Sequence, residues 1–278
     1  MTDLLRVRVD GEARVAVRTG PDADLLLLDP LRFPTVAAAL AAVAVDDLLA
    51  GASPAPLSGV TRLAPVDPDV RVFCVAQNYT DHAREVSGTE APTAPVLFLK
   101  PATALVGPDE DIALPPVTSF LDYEAELAVV IGRDGTVAGA TCMNDGSARD
   151  LQPAVLGGKP IIDWFSGKSL DRTGAVGPWL RLVDGVSALG DLAISCRING
   201  ELVQDDRTSS MVHDIPKLLA FISSRVRLRP GDVVATGTPG GVGAGRGVPL
   251  QDGDVVDIEV EGVGRLCNTV RVVSAALV

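Results

Sequence analysis

The 278-residue chain sets 24 Lys and Arg against 36 Asp and Glu, a formal net charge of −12, and 47% of it is apolar. That balance argues against nucleic acid and an anionic membrane as partners, since no basic field offsets phosphate repulsion. It leaves room for a small anionic substrate, because a bound cation inverts the local field.

Roughly three-quarters of the unfolded surface of a chain this long is buried on folding, enough for a core without disulfides. The cysteines Cys74, Cys142, Cys196 and Cys267 show no CxxC spacing and are expected as buried, reduced thiols. The opening MTDLLRVRVDGE has neither a basic n-region nor a cleavable apolar core, so no signal peptide is expected. The longest apolar stretch, Val36 to Val45, is closed by Asp46 and Asp47, far short of the ~20 residues that span a bilayer. A cytoplasmic location is the expectation.

Residues 4–29 read as short strands, with a DG turn inside LLRVRVDGEARVAV. Phe33-Pro34-Thr35 opens an alanine-rich stretch that predicts one helix to about Ala50, ended by Gly51. ASPAPLSGVTRLAPVDPD then reads as a connector, dividing a small α/β extension over 1–65 from a catalytic domain over 66–278. From Val70 onward short strands dominate, with helices predicted only near Tyr79–Ser87 and Ile215–Ser224 and a hairpin turn at Asn199-Gly200. Without βαβ alternation, a β-rich α+β fold is predicted.

Chemistry-bearing residues follow the same order. In QNYTDHAREV, His82 and Glu85 are three apart on the predicted helix and so share a face. Glu85 in that arrangement raises the basicity of His82, as a water-activating base requires; a surface ion pair is the alternative. In LDYEAELAVVIG, Glu124 and Glu126 are i and i+2 on a strand, about 6.5–7 Å apart on one face, with Asp122 a candidate third member. Such hard oxygen donors suit Mg²⁺, Mn²⁺ or Ca²⁺, although a solvated acidic edge strand gives the same pattern.

Asp145, in MNDGSARDLQ, is a candidate third ligand or an Asx turn, and Lys168 follows in SGKS. His213 has no such companion and reads as structural. The glycine-rich Thr236–Gly243 lacks the GK[ST] ending of a P-loop; it reads as a strand-end turn that offers backbone N–H groups and the Thr238 hydroxyl to a ligand.

Taken together, QNYTDHAREV, PVLFLKPATALVGP, DYEAELAVVIGR, NDGSARDLQ, GKSLD, INGELVQD, LRPGDVVATGTPGGVG and DGDVVDIEVEGVGRLCNTV resemble the fumarylacetoacetate hydrolase family, from about Val70 to the carboxyl end. The resemblance implies a mixed β-sandwich roll with a small amino-terminal domain, a homodimer, and Mg²⁺ or Mn²⁺ held by Glu124, Glu126 and Asp145. It also implies His82 and Glu85 as the water-activating pair and Lys168 beside the metal, with Tyr79, Arg149, Gln152 and Thr238 lining the substrate pocket. A 2-oxo acid that chelates the cation has its enolate charge stabilised. The expected reaction is therefore C–C bond hydrolysis of an acylpyruvate-like 2,4-diketo acid. The alternative is decarboxylation or isomerisation (tautomerisation) of a 2-oxo or 2-hydroxymuconate-type diacid.

Three departures from the family pattern stand out. Gly146 after Asp145 predicts a looser ligand loop, Ala76-Gln77 replaces a more frequent Gly-Leu or Gly-Arg type pair before Asn78-Tyr79, and the stretch Pro153–Trp164 between Asp145 and Lys168 diverges, with Leu170 in place of the usual Phe after GKS.

Overall fold

The computed structural model of the chain describes residues 1–20, 23–42, 45–56 and 60–274. The first hairpin forms as predicted, Asp3–Val9 pairing with Glu12–Arg18. Its turn residues Asp10 and Gly11 have φ of 51° and 84°, the left-handed pair that a type I′ turn demands. Asp3–Val9 also meets Gly174–Leu182, with Leu4 opposite Leu180, and Asp3 is buried between Arg18 at 2.7 Å and Arg181 at 2.5 Å. The amino-terminal strands therefore belong to the same sheet as the middle of the chain. The predicted connector supplies two more strands, Ser53–Ala55 and Thr61–Leu63; residues 57–59 lie outside the described part.

The alanine-rich stretch is not one helix but two of five residues, Val36–Leu40 and Val45–Leu49. Thr35 and Asp67 cap the first, Asp67 accepting the Val36 and Ala37 N–H groups at 2.9 and 2.8 Å. Its end tightens, Ala42 N–H donating to Ala39 O. Asp46 and Asp47 then open a new first turn, where their charge suits the positive end of a helix. Residues 43–44 are not described. The two longer predicted helices form as Thr80–Ser87 and Ile215–Ser223.

The result is a β-rich α+β fold of mixed sheets. Among the described residues a 12-stranded sheet and a five-stranded sheet dominate. At the centre of the larger one, Ala125–Ile131 lies between Val137–Asn144 and Val233–Ala235. Leu127, Val129 and Ile131 face one hydrophobic core while Ala128 and Val130 face another. Both faces are thus covered, which explains its near-continuous apolar run. Glu126 lies on this central, buried strand and Glu124 immediately before it, so the acidic pair is not on a solvated edge. No described helix is long and apolar enough to cross a membrane.

Candidate metal centre

Strand register builds the acidic cluster. Ala125 stands opposite Asn144, so the residue after Asn144 comes alongside the residue before Ala125, and Asp145 N–H donates to Glu124 O at 2.9 Å. Ligand-capable oxygens of Glu124, Glu126 and Asp145 consequently lie within 4.8 Å of one another, and the three residues are only 4%, 1% and 1% exposed.

Asp122 does not join them. It belongs to a separate two-residue strand, Leu121–Asp122, and the chain leaves strand geometry before Ala125, so the period of two breaks. Its carboxylate instead accepts the Gly243 and Ala244 N–H groups and Arg149 Nε at 2.7, 3.0 and 2.8 Å.

Three buried carboxylates require compensation. Lys168 Nζ donates to Glu124 Oε2 at 2.6 Å and Asp145 Oδ2 at 2.7 Å, and Arg149 Nη2 to Glu124 Oε1 at 2.5 Å. Burial by itself raises the pKa of Glu124, but Lys168 and Arg149 reverse that and hold it far below the ordinary range. Burial lowers the pKa values of Lys168 and Arg149, and their carboxylate neighbours more than restore them, so both stay charged. Among the described residues Glu126 forms no ion pair and accepts only the Gly237 N–H at 2.8 Å. Desolvation, then the charges of Asp145 and Glu124, push its pKa well above the ordinary range.

Asp145 Oδ1 is buried without a hydrogen bond; Lys100 Nζ is 2.9 Å away as an ion pair but poorly aligned for donation. An uncompensated Glu126, an orphaned Asp145 oxygen and an all-oxygen donor set fit a hard divalent cation.

The glycine-rich segment serves the centre differently from the expectation. Its N–H groups at Gly237, Gly241 and Gly243 are given to Glu126, Glu85 and Asp122, not to a ligand. Nor is the Asp145 loop loose. A Cβ on Gly146 would stand 1.9 Å from Thr173 O, so Gly146 lets two backbones touch. Gly146→Ala is expected to cost about 3 kcal/mol or more, read as a lower urea midpoint at unchanged slope.

A cavity of about 130 Å³ opens over the cluster, lined by residues that include Gln77, His82, Glu124, Glu126, Arg149, Gln152, Trp164, Lys168 and Thr238. His82 is buried with Nδ1 unpartnered. Burial lowers its pKa to about 4, against the opposing pull of Glu124, so at neutral pH it is an uncharged base.

Glu85 does not hold it. Although i and i+3 lie on one side of the helix, Glu85 is packed against Gly245 and its Oε2 accepts Gly241 N–H at 2.9 Å. The structure does not form the predicted dyad. Tyr79 is absent from the pocket wall as well; it is buried at the helix N-cap and bridges Met211.

Gln152 lies on the wall with Nε2 buried and unpartnered. Gly167 makes this possible, since a Cβ there would meet Gln152 Cγ at 2.3 Å. The Thr238 hydroxyl accepts from Gln204 Nε2 at 2.8 Å. Gln204 Oε1 accepts Ala125 N–H at 3.0 Å, so one buried amide fixes both the acidic strand and the Thr238 turn. His213 is structural, its Nε2 2.9 Å from Pro92 O.

Sequence reasoning missed Gln204 and the Phe98–Trp164 stack at 4.7 Å; Gln77, noted there as a departure from the family pattern, reaches the pocket from a left-handed backbone with φ of 52°. It also missed Lys100. Only the alternation in VLFLK, which puts Phe98 and Lys100 on one face, hints at that lysine.

The family described as Fumarylacetoacetate (FAA) hydrolase C-terminal matches residues 71–271. The chain belongs to the fumarylacetoacetate hydrolase family. Among relatives, "Oxaloacetate tautomerase FAHD2B, mitochondrial" of Bos taurus is 43% identical over 227 residues, covering 77% of this chain and 71% of that protein. Among solved structures, 5-carboxymethyl-2-hydroxymuconate delta-isomerase from Mycobacterium smegmatis aligns with a TM-score of 0.74 and 34% identity, over 98% of this chain and 99% of that one. Maleylpyruvate hydrolase from Sphingobium sp. SYK-6 aligns with a TM-score of 0.75 and 28% identity, over 98% and 100%. As a member of the fumarylacetoacetate hydrolase family the chain is an enzyme, and these relatives span tautomerase, isomerase and hydrolase names.

Proposed function

We propose that this chain is a divalent-metal-dependent tautomerase of a small 2-oxo diacid of the oxaloacetate class. The observation that carries this reading is His82. It is neutral, has a free ring nitrogen and sits on the wall of a small pocket over the carboxylate set, while Glu85 is engaged elsewhere. A base without a water-activating partner suits proton transfer better than hydrolysis. The cavity is also smaller than the roughly 300–1,000 Å³ of typical ligand clefts, which favours a short diacid.

Glu124, Glu126 and Asp145 would hold Mg²⁺ or Mn²⁺, whose chemistry when bound is to stabilise negative charge on the 2-oxo group. His82 takes a proton from carbon 3, and the electron pair left behind becomes the double bond between carbons 2 and 3. The oxygen on carbon 2 then receives the proton. Gln152 Nε2–H, already desolvated and unpartnered, is a ready donor to a substrate oxygen, and Lys168 supplies fixed positive charge.

The test follows the enol absorbance of oxaloacetate with Mg²⁺, with and without enzyme. Faster interconversion, abolished by a chelator, is expected; a rate no greater than the buffer control overturns the reading. Kinship with a maleylpyruvate hydrolase favours a second reading, hydrolysis of an acylpyruvate-like 2,4-diketo acid. Pyruvate release from acylpyruvates, with gain of the mass of water, identifies that activity.

A further inference from the structure

Lys100 ends the strand Val96–Lys100 at the edge of the large sheet, yet its side chain is 0% exposed. It is absent from the pocket wall. Its ammonium donates to Gly146 O at 2.9 Å and Lys168 O at 2.8 Å, and lies 2.9 Å from Asp145 Oδ1. Two separate pieces of the centre therefore share one cation: the loop carrying Asp145, and the end of the helix Trp164–Lys168. That helix is held to the same strand by the stack of Trp164 on Phe98. A dehydrated ammonium is costly, and an apolar side chain of similar volume often serves the fold as well. Its placement here points to the group it faces, the Asp145 carboxylate.

We infer that Lys100 is a positioning residue for the metal centre, holding the Asp145 loop and the Lys168 helix end at a fixed separation. This rests on the reading of Glu124, Glu126 and Asp145 as the cation site. Lys100, which is not on the pocket wall, pairs with Asp145 Oδ1, while Lys168, which is on the wall, contacts the other carboxylate oxygen, Oδ2. With the ammonium removed, Asp145 Oδ1 loses its ion pair, leaving only the Lys168 contact at Oδ2, and the Gly146 and Lys168 carbonyls lose their donor.

The experiment titrates Mn²⁺ alone into full-length wild type, Lys100→Met and Lys100→Gln, by calorimetry and by the paramagnetic resonance of free Mn²⁺. Thermal unfolding is recorded on the same samples. Lys100→Met, which keeps the shape and loses the charge, is expected to bind Mn²⁺ about 10–100-fold more weakly, as loss of an outer-shell partner does. Affinity within twofold of wild type, even with a lower Tm, makes Lys100 a support of the fold only and overturns the inference. If the methionine variant does not fold, Lys100→Gln is judged by the same threshold, since it retains a donor for the carbonyls but no charge toward Asp145. Wild type that binds no Mn²⁺ sinks the cation site itself. Wild type that binds Mn²⁺ without tautomerase activity sinks only the proposed reaction and leaves the Lys100 comparison decisive.

Discussion

Replacing Glu126 by glutamine is expected to abolish Mn²⁺ binding and at the same time to stabilise the metal-free protein. Glutamine keeps the volume and still accepts the Gly237 N–H that Glu126 accepts now. It removes a carboxylate that forms no ion pair among the described residues and is packed against Asp145 and Glu124. Loss of an inner ligand should weaken Mn²⁺ beyond the ~10–100-fold that an outer-shell partner costs. Activity should fall by about 10³ or more if the cation supplies roughly 4 kcal/mol of charge stabilisation.

The stability change has a sign that pH reveals. The folded-state pKa of Glu126 is raised above its unfolded value, so the folded chain binds the extra proton. Stability is full below the unfolded pKa, near 4.5, and is lost as pH rises above it. The gain of Glu126→Gln over wild type, both without metal, should therefore grow from pH 4.5 upward and shrink or reverse when Mn²⁺ is added to wild type. Equal Mn²⁺ affinity in the two proteins would remove Glu126 from the site.

His82→Asn should leave Mn²⁺ binding within a few-fold of wild type and lower turnover by about 10²–10⁴, the usual worth of a positioned acid–base group. The same substitution has a readout without substrate. Because burial lowers the folded-state pKa of His82 from 6.5 to about 4, the unfolded chain binds the proton first. Wild type should then lose on the order of 3 kcal/mol as pH falls from 6.5 to about 4, and His82→Asn should lack that loss. Urea unfolding of both proteins across this range checks it. An activity loss matched by a loss of Mn²⁺ affinity would make His82 a support of the metal centre, not the proton carrier.

Both experiments concern residues named in sequence, but legibility differed among them. Glu124 and Glu126 were readable as a pair because they are two apart at the mouth of an apolar strand, although only Glu126 lies within it. The first hairpin was readable locally as well, Asp-Gly being the sequence that a left-handed two-residue turn needs. The His82–Glu85 pairing was misread although its spacing was right, because spacing puts two side chains on one side of a helix without saying what else competes for them. Here the Gly241 N–H claims Glu85. Gly146 was misread in the opposite sense: a glycine that suggests looseness in isolation is a point of backbone contact with Thr173.

By itself the sequence determined the β-rich class, the turns, the family and the residues that carry charge into the site, since each follows from local periodicity or from motif order. Only the tertiary structure decided that the acidic strand is central, that Asp145 joins Glu124 and Glu126 while Asp122 does not, and that the buried Lys100 and Gln204 contact the segments carrying them. Those facts depend on strand register and on contacts between residues far apart in the chain. The competition for each buried donor and acceptor is settled only when the sheets have closed around it.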